Sequence, residues 1–255
     1  MTGLPRTPEA NARRIESIVG DLAASCRGRP VFLVDGDRTL TPDDTSRTFL
    51  TRAGLDPLVI KRRFERDGYV FDAFRFHAEV HVALGEAVFA RLAPEVALAA
   101  PIYPGSMEFL RAARAVGRVF VVSAGIPRIW RTLLDNQHLD DIGVIGGIDP
   151  ALPYVFGRRE KGLVARLFLA NGARVVSVGD SEVDADMLFL SHHAVIVVNH
   201  RQNADLMPHL LHHPSRWQVV PRGVAHSGVP ELAFPSIARL GQSAAFLSAE
   251  SPACP

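Results

Sequence analysis

Short apolar runs recur along the chain, each closed by polar residues, and between them apolar positions fall at helical spacing. The first run, Pro30-Val31-Phe32-Leu33-Val34, is rich in β-branched residues and stops at Asp35-Gly36-Asp37, so it reads as a buried parallel strand. Residues 118–122 form a second run, ending in Ser123-Ala124-Gly125, and 174–178 a third, ending in Gly179-Asp180. Residues 194–198 predict a fourth strand, and 218–220 are a further candidate. Helices are predicted over 8–25, where Ile15, Ile18, Val19 and Leu22 share one face, at 105–116, after Gly125, and near 160–170. Residues 45–100 interrupt the alternation with a helical pattern rich in Arg, Phe and Ala, closed by Pro101 and Pro104-Gly105.

Apolar strands alternating with helices imply an α/β fold, a doubly wound parallel sheet covered on both faces. In such sheets ligands sit beyond the carboxyl ends of the strands. Asp35, Asp37, Ser123 and Asp180 are therefore expected to converge on one crevice, with 45–100 above it as a lid. The division expected is a catalytic core over 1–44 and 101–225, a small helical cap over 45–100 inserted after the first strand, and a C-terminal tail over 226–255 whose end is poorly ordered.

Composition removes several classes. Of 255 residues 47% are hydrophobic and 22% charged, ordinary for a globular protein, and a net charge of +1 provides no field toward nucleic acid or membrane. There is no apolar run of membrane-spanning length, and the first residues lack the apolar stretch of a signal peptide. Cys26 and Cys254 are the only cysteines, without metal-type spacing, which suits a reducing cytoplasm. His209 and His213 are four apart, but no acid stands in the right relation to them for a zinc site, and 143–147 lacks the GxGxxG spacing of a dinucleotide site. Only two lysines occur, Lys61 and Lys161, so a lysine beside a site carries information.

Asp35 and Asp37 place two carboxylates two residues apart just past a strand. A carboxylate can attack phosphorus to form an acyl phosphate, and a neighbouring carboxyl can protonate the leaving oxygen and later accept a proton from water. Crowded carboxylates repel unless a cation lies between them, and magnesium, with its oxygen ligands, suits that place. Ser123, with backbone amides at a following helix start, suits a phosphate oxygen, and Lys161 supplies a point positive charge to the same group. Gly179-Asp180-Ser181-Glu182-Val183-Asp184 brings further acids after the third strand.

This set, in this order, resembles the haloacid dehalogenase-like superfamily: apolar strand then DxDxT at 31–39, strand then Ser at 119–123, a basic residue at Lys161, and GDxxxD at 179–184. The resemblance implies a Rossmann-like core and a magnesium-dependent phosphatase. Asp35 would be the nucleophile and Asp37 the general acid/base. Gly36, Ser123, Ala124 and Lys161 would bind phosphate, and Asp35, Asp37, Asp180 and Asp184 would serve the metal. Dehalogenases of the superfamily lack the second acid, so Asp37 favours phosphoryl transfer. Within the superfamily the likeness is to phosphoserine phosphatase-like members: Ser123-Ala124-Gly125 stands for their Ser-Gly-Gly, and the surroundings of Lys161 for their Gly-Lys-Gly-Lys-Val. Asp44 stands at the offset of a substrate-reading Glu, and Arg62 or Arg63 in the cap could grip a substrate anion.

The partner expected is a small phosphorylated metabolite, of amino-acid, sugar, cyclitol or nucleoside type; oligomeric state is not set by the sequence. The cap's inner face is expected to combine Phe64, Tyr69 and Phe71 with Arg62, Arg63 and Arg75. A phosphomutase or phosphotransferase on the same scaffold, and a silent binding protein that keeps the fold, are the alternatives.

Overall fold

The computed structural model describes residues 3–152, 154–199 and 203–242. Six strands, β1 (Pro30–Val34), β2 (Arg118–Ser123), β3 (Gly143–Gly146), β4 (Arg174–Gly179), β5 (His193–Val197) and β6 (Arg216–Val219), form one sheet in the order β3-β2-β1-β4-β5-β6. Every pairing is parallel. The chain winds outward through β1, β2 and β3, then returns to the other side of β1, so the switch point lies between β1 and β4.

Strand residues alternate between two apolar layers, as the two-residue period requires. Phe32 and Val34 of β1, Val119 and Val121 of β2, and Val176 and Val178 of β4 face one way. They meet α6 (Ser106–Val116), α7 (Pro127–Asn136) and the 3-10 segment Phe234–Gln242. Val31, Leu33, Phe120, Val122 and Val175 face the other layer, built by α1 (Pro8–Ala24) and α8 (Arg158–Ala170). Beyond them α9 (Ala185–Leu190) and α10 (Asn203–Leu210) cover β5.

The strand β3 answers to no signal read from the sequence, where 143–147 figured only as a failed dinucleotide motif. Its four residues include two glycines, and a side chain at Gly143 would collide with the Phe120 ring of β2. Close approach of two strands removed the β-branched pattern that marks the others. At the other end, within the segment read as a tail, Phe234, Ile237, Ala238 and Leu240 are buried against the sheet layer. The expected disorder at the end of the chain falls outside the described residues.

Four helices fill 45–100: α2 (Thr45–Arg52), α3 (Leu58–Asp67), α4 (Phe71–Val82) and α5 (Glu86–Ala99). They are anchored unequally. Phe49 of α2 and Phe89, Leu92 and Val96 of α5 belong to the same apolar cluster as Trp130 and the sheet, with the Phe49 and Phe89 rings 4.8 Å apart. By contrast α3 buries only Ile60 and meets α4 through Phe64 and Phe74, whose rings are 4.9 Å apart.

Candidate active site

Asp35 continues β1, its backbone N–H donating to the Val178 carbonyl of β4 at 2.8 Å. Register pairs Val34 with Val178, so Asp35 and Asp180 leave neighbouring strands side by side at the switch point. After Asp35 the chain turns sharply, with Leu40 N–H donating to the Gly36 carbonyl at 2.8 Å. Arg38 takes a left-handed backbone, φ 61°, rare for a residue with a side chain. Its carbonyl accepts from Asn199 Nδ2 and its N–H donates to the Asp43 carbonyl at 3.1 Å.

Three carboxylates meet here. One oxygen each from Asp35, Asp180 and Asp184 lie within 4.8 Å of one another, and all three residues are buried. Lys161, on the first turn of α8, is 1% exposed and donates to both Asp35 Oδ1 and Asp184 Oδ1, the latter at 2.6 Å. Thr39 Oγ1 lies 3.1 Å from Asp35 Oδ2 and 3.3 Å from Asp180 Oδ1. Asp184 Oδ2 accepts the backbone N–H groups of Asp180 and Ser181, both at 3.1 Å, which folds the 180–184 turn onto the cluster. Asp37, grouped with the metal residues from its sequence, is not in this trio. Its Oδ1 accepts the Thr45 backbone N–H at 3.0 Å, at the start of α2.

The charges are poorly compensated. Burial first, and the Asp184 charge next, raise Asp35 to about 6 against the pull of Lys161. Burial, and then the Asp44 charge, raise Asp37 to about 7. Burial, followed by Asp35 and Asp184, holds Asp180 well above the usual carboxylate range. Burial works against a charge on Lys161, but Asp184 and Asp35 outweigh it and raise its pKa.

This donor set fits magnesium. It consists of carboxylate oxygens, without the sulfur or imidazole that softer metals favour, and a divalent cation would relieve the repulsion among the three buried acids. Asp35, Asp180 and Asp184 are the residues that would hold it.

The cluster opens into a cavity of about 510 Å³, walled by the strand ends, α2 and α3. Ser123, buried at the end of β2, lines it beside Ala124 and Gly125, and Gly125 N–H donates to Ser123 Oγ at 3.0 Å. Gly36 is not part of the lining: it packs beneath the Trp130 ring, where a side chain would collide. Asp44 lines the cavity but is engaged, capping α2 through Arg47 N–H at 2.9 Å and pairing with Arg38 at 2.6 Å. Arg62 and Arg63 are not brought into the cavity. Arg62 is exposed, while Arg63 pairs with Asp67 at 2.6 Å and stands over the Phe76 ring. Phe71 and Arg75 are also outside the lining, and α3 instead presents Leu58, Ile60, Lys61, Phe64 and Glu65, with Tyr69 and Phe74 nearby.

Three participants escaped sequence reasoning. Arg38 carries its charge among Asp44, Asp180, Asp37 and Asp35. Asn199 Nδ2 lies 3.3 Å from Asp180 Oδ2, and Asn203 Nδ2 donates to the Asp180 carbonyl at 2.7 Å. For Asn199 a signal existed: it follows the apolar run of β5 as Asp35, Ser123 and Asp180 follow theirs.

The family model for haloacid dehalogenase-like hydrolases matches residues 32–188, more than half of the chain. The chain belongs to the haloacid dehalogenase-like hydrolases. Solved structures share the fold of this hydrolase at low identity. A HAD family hydrolase from Salmonella enterica serovar Typhi superposes with TM-score 0.54 at 15% identity, over 84% of this chain and 78% of that one. Phosphoserine phosphatase from T. onnurineus gives 0.53 at 16%, covering 84% and 94%. A protein of unknown function from Bordetella pertussis Tohama I gives 0.54 at 17%, covering 66% and 90%. The comparison with curated proteins found no match. Among the described residues, no helix of this hydrolase is long and apolar enough to cross a membrane.

Proposed function

We propose that this hydrolase is a magnesium-dependent phosphatase that cleaves a small phosphate monoester through an aspartyl-phosphate on Asp35. The observation that carries the reading is the pairing of Asp35 with a second acid, Asp37, in one cavity with Ser123 and Lys161. At neutral pH the two acids divide the work: Asp35, at about 6, is mainly ionised, while Asp37, at about 7, is shared between its acid and carboxylate forms and can both give and take a proton.

A carboxylate oxygen of Asp35 attacks phosphorus as Asp37 gives its proton to the departing ester oxygen. Ser123 Oγ, the amides of the 123–125 turn and Lys161 Nζ take the phosphoryl oxygens, where charge is spread in the transition state. In the second half-reaction Asp37, now ionised, removes a proton from water, the water oxygen bonds to phosphorus, and the Asp35–phosphorus bond breaks. Magnesium, when bound by Asp35, Asp180 and Asp184, supplies charge neutralisation to the acids and the phosphoryl group. The two superposed chains named as a hydrolase of this family and a phosphoserine phosphatase are in keeping with this chemistry. The cavity suits a metabolite rather than a macromolecule.

The test is phosphate release from a panel of phosphate monoesters with magnesium and with excess chelator. Release that chelator suppresses is expected. Release unchanged by chelator would remove the metal from the reading, and no release from any ester would remove the activity.

A further inference from the structure

A buried hydroxyl at the cavity, that of Ser46, is left unused by the chemistry above. Ser46 lies in the first turn of α2, lines the cavity and is 4% exposed. Its Oγ has no hydrogen-bond partner among the described residues. The position is firmly held: the His81 ring nitrogen stands 3.5 Å from the Ser46 carbonyl, and Phe49 and Leu50, one turn on, are buried.

Three oxygens surround one point here. A Cβ built on Gly125 would stand 2.6 Å from Ser46 Oγ, 3.0 Å from Asp37 Oδ2 and 3.2 Å from Ser123 Oγ. Only glycine at 125 leaves that point open. A buried hydroxyl without a partner is disfavoured, and alanine would fill the site without that penalty. The serine therefore marks a partner that the chain itself does not supply.

We propose that Ser46 Oγ hydrogen-bonds a hydroxyl on the carbon next to the ester carbon of the substrate, and so selects phosphomonoesters of polyols over those of simple alkanols. This rests on the phosphatase reading. Ser123, the turn amides and Lys161 take the phosphoryl oxygens, and Asp37 takes the ester oxygen. The next polar atom along the leaving group is the one on the adjacent carbon. A hydroxyl both donates and accepts, as serine does. An ammonium there would call for a carboxylate of its own: Asp37, at this point, serves the ester oxygen, and Asp44 is committed to Arg38 and to the cap of α2.

The experiment compares wild type and Ser46→Ala on glycerol 1-phosphate, ethanolamine phosphate, ethyl phosphate and p-nitrophenyl phosphate, with magnesium, beside thermal melts. In the wild type glycerol 1-phosphate is expected to be the better substrate than ethyl phosphate. In the variant the ratio of their kcat/KM values falls about 10-fold, the worth of one hydrogen bond in the transition state. The variant melts at or above the wild type, because an unpaired hydroxyl has gone. An unmoved ratio, or a larger loss on ethanolamine phosphate than on glycerol 1-phosphate, overturns the assignment while leaving the phosphatase intact. A lower melting temperature with equal losses on all four esters also overturns it, since the serine then serves the fold. A wild type that releases phosphate from none of them overturns the phosphatase reading, and this inference with it.

Discussion

Replacing the proposed nucleophile should make the metal-free protein more stable, although it abolishes turnover. Asp35 is buried, and burial first, then Asp184, raise its carboxyl from 3.8 to about 6 despite Lys161. Asp35→Asn keeps the shape of the protonated acid and cannot ionise. The folded chain therefore holds an extra proton between those two pH values, and the wild type loses stability as pH rises through them. Below 3.8 both states are protonated and the two proteins should match; above about 6 the difference is complete. Its size follows from the separation of the two values: about 3 kcal/mol, at roughly 1.4 kcal/mol for each pH unit. For a chain of this length that is about 6–12 °C in Tm. Melts of both proteins in chelator at pH 5, 6.5 and 8 would measure it, with the largest gap at pH 8. Added magnesium should then narrow the gap, because a cation held by three carboxylates stabilises the wild type by about 3 kcal/mol at a hundred times its Kd, and the variant has one fewer carboxylate to offer. A variant that melts at or below the wild type at pH 8 in chelator would refute the reasoning. So would a gap that widens as pH falls.

Two further predictions separate the acid from the binding wall. Asp37→Asn should slow alkyl ester hydrolysis by about 100- to 10,000-fold, because one carboxyl serves both half-reactions; the phosphorylation step should suffer less with an activated aryl phosphate, and equal losses on the two ester types in single-turnover assays would contradict the role. Arg47 lines the cavity without an acidic partner among the described residues, whereas Arg38 pairs with Asp44 and Lys61 with Glu65. Arg47→Ala should raise KM about 10-fold or more for leaving groups that carry a carboxylate or second phosphate, with Arg62→Ala near wild type on the same panel; the reverse ranking would place the reading of the substrate on the outer side of α3.

Four of the six strands were legible because each is an apolar run closed by a polar residue, a fifth, β6, overlaps the candidate run at 218–220, and the closing residue was often one that lines the candidate site. Asp35, Ser123 and Asp180 came from that rule, and Asn199 obeys it too. Lys161 was marked by the scarcity of lysine and by its place after the second strand. What the sequence withheld was orientation. The offset that suggested Asp44 as a substrate reader says nothing of its neighbour Arg38, whose left-handed backbone turns it back toward the acid. In α3 the cavity face is Leu58, Ile60, Lys61, Phe64 and Glu65, a set at i, i+2, i+3, i+6 and i+7. Taking Ile60 and Phe64 as the inner face would have set Arg62 on the opposite side of the helix, and Arg63 on its flank, by periodicity alone.

The unequal anchoring of the inserted helices divides the cavity into two kinds of wall. Asp35, Ser123 and Asp180 stand on strand ends, and Ser46 and Arg47 stand on α2, whose Phe49 shares an apolar cluster with Phe89, Trp130 and the sheet. Groups fixed to packed elements keep their geometry, which acid–base and nucleophilic work demands. The other wall is α3, with one buried residue and Leu55, Leu58 and Val59 at the surface around its start. Few buried contacts place α3 at the low end of local stability. Substitutions on α2 should therefore change which substrate is chosen without loosening the site, whereas substitutions that weaken the Phe64–Phe74 contact should change how readily any substrate enters and leaves.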